Sequence, residues 1–440
     1  MRKLSYILCI VLCLGTLISC RSGGPTADRE LTSGQASAAG HESVSGENSP
    51  SGQTLAMDGN VSDTKEYDLQ MVTSNGGLLN SSWAISDDGC YEIYSNGDWT
   101  ANILYTDVAT KQRIYLSPDL SSDHHSEADP SWIDDTMGGV GLFVAQGHLF
   151  IVKYGYDETV GALYRSDLNG ENRTKLLEFR NYAPIRSTVV SDGQYLYALL
   201  TKSSGRAVLA RLSPDNGDIE ELCEMPFDTN FLLSAYEDCL VIKALDVPEP
   251  KDGENAVDTY ENTRHVVYQY SLAEHQLTEV ISWKQDTMFE GYDGSSLYLF
   301  DRANDCLKAV DLHDGTETMV ISSLKEKGIN KDEVSYISCV RDGHMIYDEG
   351  GWSYVLDLST LEISEMKYLE NYKYPYIIAS YGDKYLITAD DLIIPRDDFD
   401  PGGNPIIVDV IMSQLALITQ EDYWSCNYNF ERIKNTFLDE

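Results

Sequence analysis

From about residue 66 onward the chain reads as short apolar runs bounded by Gly, Asp and Asn, with no sustained helical period. One unit runs GHLFIVKY from Gly147, then GALYRSDLNGENRTKLLEF from Gly161: a turn, a strand, a loop, a second strand closing on Asp167-Leu168, a Gly turn and a third apolar run. The same grammar recurs in DGQYLYALL (from Asp192) with AVLARLSPDNGDIEEL, in SSLYLFD (from Ser295) with CLKAVDLHDGTETMVI, and in DGHMIYDE (from Asp342) with WSYVLDLSTLEISEM. It recurs again in DKYLITAD (from Asp383) with NPIIVDVIMSQLALI, in GCYEIYSNGDW (from Gly89) with NILYTDVATKQRIYL, and in EDCLVIKAL (from Glu237) with HVVYQYSLAEHQLTEVI.

The residue at the Asp-Leu position marks each unit: Asp107, Asp167, Arg211, Ser271, Asp311, Asp357 and Asp409. The mean spacing is about 50 residues, close to a four-stranded propeller blade. A small sheet cannot bury both faces alone, so units stacked around an axis must supply the core. The expected fold is all-β: a β-propeller over residues 66–440, of seven four-stranded blades, with six as the alternative count. A closed ring must also pair its ends, so residues between Glu66 and Ile85 or the C-terminal segment from Glu421 to Phe437 should complete a terminal blade, with YDLQMV (from Tyr67) and DYWSCNYNF (from Asp422) as the candidates. Between the units, polar insertions rich in Asp, Glu, Pro and Gly fall at 119–141, 246–265 and 394–405.

The N-terminus adds a different element. Arg2 and Lys3 precede an apolar run from Leu4 to Leu17 that is too short to remain as a membrane span, so residues 1–19 read as an export signal. Leu17-Ile18-Ser19-Cys20 resembles the lipobox of bacterial lipoproteins, which implies cleavage before Cys20, lipid on its thiol and anchoring on the outer side of the cell membrane. Residues 20–65 are Ser/Gly-rich with almost no large apolar side chain, and read as a flexible tether with a root-mean-square reach of about 35–40 Å.

The chain carries 71 acidic against 32 basic residues, a formal charge of −39. That balance excludes nucleic acid and anionic head groups as natural partners. The six cysteines after Cys20 show no zinc or redox spacing and read as buried thiols. Three places offer chemistry. Asp123, His124 and Glu127 bring imidazole and carboxylate into one loop, a metal candidate set against a solvated loop, since adjacent histidines on an extended chain point to opposite sides. Asp398, Asp400 and Asp409, with Gly403, match part of a Ca²⁺-loop spacing; position 402 is Gly, and the competing reading is an acidic turn. Trp132, between Pro130 and Asp134, is a binding candidate if it faces solvent and a packing residue if it covers a blade end. Ser213 to Gly217 reads as a hairpin turn. No nucleophile elbow, phosphate loop or zinc-protease helix is present in the sequence.

The unit around Asp167 resembles the repeat of low-density-lipoprotein-receptor-type propellers, in which a strand ends in a Leu-Asp-Gly turn before an Arg-Lys-Leu-Leu run. The Tyr-Trp-Thr-Asp signature of that family is reduced here to Tyr105-Thr106-Asp107, and the chain also looks like propeller lipoproteins of Gram-positive gut anaerobes. The resemblance covers roughly residues 85–425. It implies six blades and a non-catalytic role in binding proteins. The expected function is therefore binding of a protein, peptide or glycan at the cell surface; the alternative is an extracellular enzyme acting on glycans or cell-wall material, its site assembled across blades.

Overall fold

The structure, a computed structural model, describes residues 67–72 and 83–438, apart from 118, 120, 135, 157–158, 187, 249–261, 285–287, 370–373 and 400–404. The expected export signal, Cys20 and the whole of the expected tether, 20–65, lie outside the described residues.

Seven antiparallel sheets, each built on a four-stranded meander, follow one another along the chain at 84–115, 140–178, 189–224, 229–284, 288–321, 334–365 and 376–432. These are the seven blades of a β-propeller, numbered here 1 to 7. First strands of neighbouring blades touch, while fourth strands such as Ile363–Glu365 are largely exposed, so the first strand of each blade is the inner one. Second and third strands are buried on both faces because a blade stands on either side. Leu196–Lys202 and Ala207–Leu212 accordingly read as near-continuous apolar runs. The core is thus a set of layers between blades. One layer stacks Phe143 and Phe150 of blade 2 at 4.8 Å against Val189 and Leu196 of blade 3; another joins Phe300 of blade 5 to Met345 and Tyr347 of blade 6.

The repeated Asp has a structural role. At the end of a third strand its carboxylate accepts N–H groups of the following turn, as Asp107 does from Thr110 (2.8 Å) and Asp357 from Ser359 and Thr360 (2.8 and 2.9 Å). A second Asp closes the turn between first and second strands and takes a phenol five residues on: Asp192 accepts from Tyr197 (2.8 Å) and Asp293 from Tyr298 (3.2 Å). In blade 7 the expected marker is displaced. Asp409 lies within the third strand, Pro405–Thr419, and the strand ends at Thr419, whose hydroxyl accepts the Asp422 N–H at 3.1 Å to start the helix Gln420–Trp424.

The C-terminal segment completes the ring within the expected 421–437, though not through the nine residues singled out. The segment DYWSCNYNF forms that helix and a following loop, and the fourth strand of blade 7 is Glu431–Arg432 just beyond it. Lys434–Asn435 then pairs in parallel with the outer strand of blade 1, Gln112–Tyr115. A buried clasp spans the same seam. Arg113 donates to both carboxylate oxygens of Glu92, to the Ser413 carbonyl of blade 7 (3.0 Å) and to Asn435 Oδ1 (3.3 Å), with Phe437 under its guanidinium. Nearer the turns, Glu431 is held between Lys111 and Lys384, whose hydrogen bonds pull its carboxyl down to about 2.

The other candidate, YDLQMV, completes no terminal blade. Gln70–Met71 pairs instead with the inner strand of blade 3, Gln70 opposite Ser191 and Met71 opposite Val190. The reason is apolar: Tyr67, Leu69 and Met71 pack on the layer formed by Val190, Leu232 and Tyr270 between blades 3 and 4, and Val72 packs on the adjoining one. Deleting residues 67–72 should lower the melting temperature clearly, whereas deleting 21–60 should leave it unchanged. Equal melting curves for the two deletions, followed by circular dichroism, would refute this packing.

Candidate functional site

A meander fixes which connections share an end of the ring. Turns between first and second and between third and fourth strands emerge at one end, here the turn face; connections between second and third strands and between blades emerge at the other, the loop face. The turns from first to second strand are tight in all seven blades, the longest being 192–195. All three insertions join strand ends at the loop face. Residues 116–139 join blade 1 to blade 2, 247–263 join the second and third strands of blade 4, and the third insertion is the far end of the long hairpin Lys384–Phe399 and Pro405–Thr419 of blade 7.

That hairpin is an arm. Its strands pair continuously from Asp390 opposite Gln414 to Phe399 opposite Pro405, well past the first strand of its blade, which pairs only as far as Thr388. Directly opposed residues share a side, so Leu392, Ile394, Arg396, Val408, Val410 and Met412 form one side. From this side Arg396 reaches blade 1, donating to the Ser95 carbonyl at 3.0 Å. Gly97 (φ +88°) makes that approach possible, because a Cβ there would stand 2.3 Å from the guanidinium. The opposite side carries Asp391, Ile393, Pro395, Ile407, Asp409 and Ile411. Ile393, Ile407 and Ile411 are 59, 71 and 66% exposed.

The arm and the 116–139 insertion meet at the blade 1 loop. Exposed Trp99 accepts the Thr136 N–H through its carbonyl at 2.7 Å. Asp98 beside it is held below the usual carboxylate range, chiefly by the Thr100 hydroxyl, with His125 contributing from across the loop. Trp132 is half-buried: it pairs with Asn102 as a short strand, meets His125 edge-on at 5.9 Å and receives Arg173 on its carbonyl. These contacts place Trp132 over the end of blade 1.

The remaining sequence candidates are separated rather than gathered. His124 turns inward, stacks on Tyr115 at 4.2 Å and places Nδ1 2.9 Å from Asp129, while Asp123 and Glu127 stay exposed. Asp129, which the sequence did not single out, is the partner. Burial works to raise its carboxyl, but hydrogen bonds from Ser122, Ser131 and Ser117 outweigh it and hold it at about 2. Asp398 pairs opposite Ile406, and Asp409 pairs opposite Pro395 on the other side of the arm, an arrangement unlike a Ca²⁺ loop; Asp400 lies outside the described residues. Among the described residues no three His, Cys, Asp or Glu side chains are grouped to hold a metal. Ser213 to Gly217 is a turn, closed by Gly217 N–H to the Ser213 carbonyl at 3.0 Å. All six described cysteines are free thiols.

The turn face has its own cavity of ≈ 1060 Å³, walled by the first turns of blades 1, 2 and 7 and by Gln70 to Val72, with Asp87, Asp88, Tyr105, Tyr381 and Arg341 on its lining. A further ionisable cluster is buried between blades 4 and 5, where Glu290 receives Lys243 on one oxygen and His265 on the other at 3.2 Å, with Trp283 against the imidazole. Burial alone pushes the Lys243 ammonium down to about 7, and contact with the Glu290 carboxylate opposes that push.

Ring, blade count and faces together make this chain a seven-bladed β-propeller with one elaborated face. No family model and no curated protein matches it. Solved structures similar in fold include the oligogalacturonate lyase of Vibrio parahaemolyticus, 11% identical with a TM-score of 0.43 over 79% of this chain and 93% of that one. The β-propeller domain of the trilobed protease of Pyrococcus furiosus is 10% identical with a TM-score of 0.45 over 82% and 98%. The acylaminoacyl peptidase of Pyrococcus horikoshii is 12% identical with a TM-score of 0.46 over 83% of this chain and 53% of that one, so this chain spans about half its length. At such identities the activities in those names belong to those proteins.

Proposed function

We propose that this chain is an exported lipoprotein, lipidated on Cys20 and held on the outer side of a bacterial membrane, whose propeller works without catalysis by binding a protein, peptide or glycan at its loop face. The observation that carries the reading is the one-sided placement of the three insertions, with an arm whose isoleucines face solvent. Large exposed aliphatic side chains gathered on a strongly acidic chain mark an interaction surface. Among the described residues the Asp, Glu and His candidates singled out on that face lie apart, which favours recognition over turnover.

The reading is tested in two parts. Cys20→Ala should move the protein from the detergent phase to the aqueous phase in a partitioning assay; a variant that still carries lipid would contradict the anchor. Replacing 247–263 by a short turn should preserve the melting temperature while altering capture of surface partners or glycan-array binding. Turnover of any cell-wall or dietary glycan by the purified wild type would replace binding with the enzyme alternative.

A further inference from the structure

The arm departs furthest from what a soluble β-protein does with its edges. From Pro405 to Met412 the third strand pairs only with the other strand of the hairpin among the described residues, so its outer backbone edge is open there. Native sheets usually close or charge such an edge because it templates strand addition. Here that edge flanks a side on which Ile407, Asp409 and Ile411 alternate along the strand, with Ile393 opposite Ile411 and Asp391 two positions before it. Apolar and acidic positions are interleaved at the two-residue period of a strand, about 6.6 Å apart.

We propose that the arm is a docking strand for an extended segment of a partner protein that adds to its open edge and sets an apolar, a basic and an apolar side chain beside Ile407, Asp409 and Ile411. This rests on the loop-face reading and names its partner class. Charge selects the occupant. A second copy of this chain would bring Asp391 and Asp409 against their own counterparts, and an anionic bilayer would meet the same carboxylates on a chain of formal charge −39. A segment carrying Lys or Arg at the middle position satisfies both terms, with main-chain hydrogen bonds supplying affinity and the alternating side chains supplying register.

The test uses the full chain and two blocked synthetic peptides that differ only in the middle residue of an Ile-Thr-Lys-Thr-Ile or Ile-Thr-Glu-Thr-Ile core. Fluorescence anisotropy should show binding of the Lys peptide that weakens with salt, about tenfold weaker binding of the Glu peptide, and the reverse preference for Asp409→Lys. A Lys peptide N-methylated at alternate amides should lose binding. Ile407→Ser with Ile411→Ser should lose it too, at unchanged melting temperature. Equal binding of both peptides, no binding at millimolar peptide, or dimerisation of the wild type through the arm in sedimentation would overturn the proposal. If surface partners are still captured and that capture disappears on shortening the arm, the loop-face reading stands even as the strand-addition proposal falls. If capture survives removal of both the arm and the 247–263 insertion, the reading falls as well.

Discussion

Arg113→Ala should cost this protein about 3–5 kcal/mol, the range for breaking one side of a buried ion pair. Arg113 is fully buried and every hydrogen bond it makes crosses toward the seam between blades 1 and 7 or fixes Glu92. Alanine leaves the Glu92 carboxylate without its guanidinium, deprives the Ser413 carbonyl and Asn435 of their donor, and opens a cavity beside Phe437. Urea unfolding should show the loss, and hydrogen exchange should show it concentrated in blades 1 and 7 rather than in blades 3 to 5. Arg113→Met with Glu92→Leu should recover much of it, because an apolar pair of similar volume leaves no orphaned charge. A loss below about 1 kcal/mol in the single variant would mean that the seam does not depend on this clasp.

Glu290→Ala should be comparably damaging at neutral pH, about 3–5 kcal/mol, since it strands Lys243 and His265 between blades 4 and 5. Its pH dependence gives a sharper signature. Without the carboxylate, burial acts on Lys243 unopposed and holds its ammonium below the about 10.4 of the unfolded chain. The unfolded state then binds more protons below that value, so stability of the variant should rise as pH rises toward about 10. The wild type, whose ammonium is paired, should lack that rise. Lys243→Met added to Glu290→Ala should abolish it, and a rise of the same slope in the double variant would assign the effect to another group.

What was legible in the sequence is what repetition writes locally. Second and third strands are buried on both sides and spelled as apolar runs such as LYALL and AVLARL, and the Asp that caps the turn after them is a local requirement, so both recur and can be counted. Some inner strands are too short to spell a pattern: Ala84–Ile85 has two residues and Val189–Ser191 three. Asp409 misled because it has the composition of a marker while a long hairpin has moved the real turn to Thr419. The buried pairs were invisible for a different reason. Arg113 with Glu92 and Lys243 with Glu290 are held together across strands or blades by tertiary structure, and nothing in the spacing of those residues announces a partner. The arm was half legible: its position was read as an insertion, but IIPRDDFDPGGNPIIVD does not declare that its isoleucines stay outside.

The first described strand carries a mechanical consequence. It runs antiparallel to the inner strand of blade 3, so the chain arrives at the turn face and travels toward the loop face beside the central channel. A pull on the chain ahead of Tyr67 loads the pairing of Gln70 and Met71 lengthwise, in shear, together with the packing of Tyr67, Leu69 and Val72. The ring is latched elsewhere, by Lys434–Asn435 and the seam around Arg113. Tension applied there would therefore slide residues 67–72 off blade 3 before any blade opened, as a fuse parts ahead of the circuit it protects.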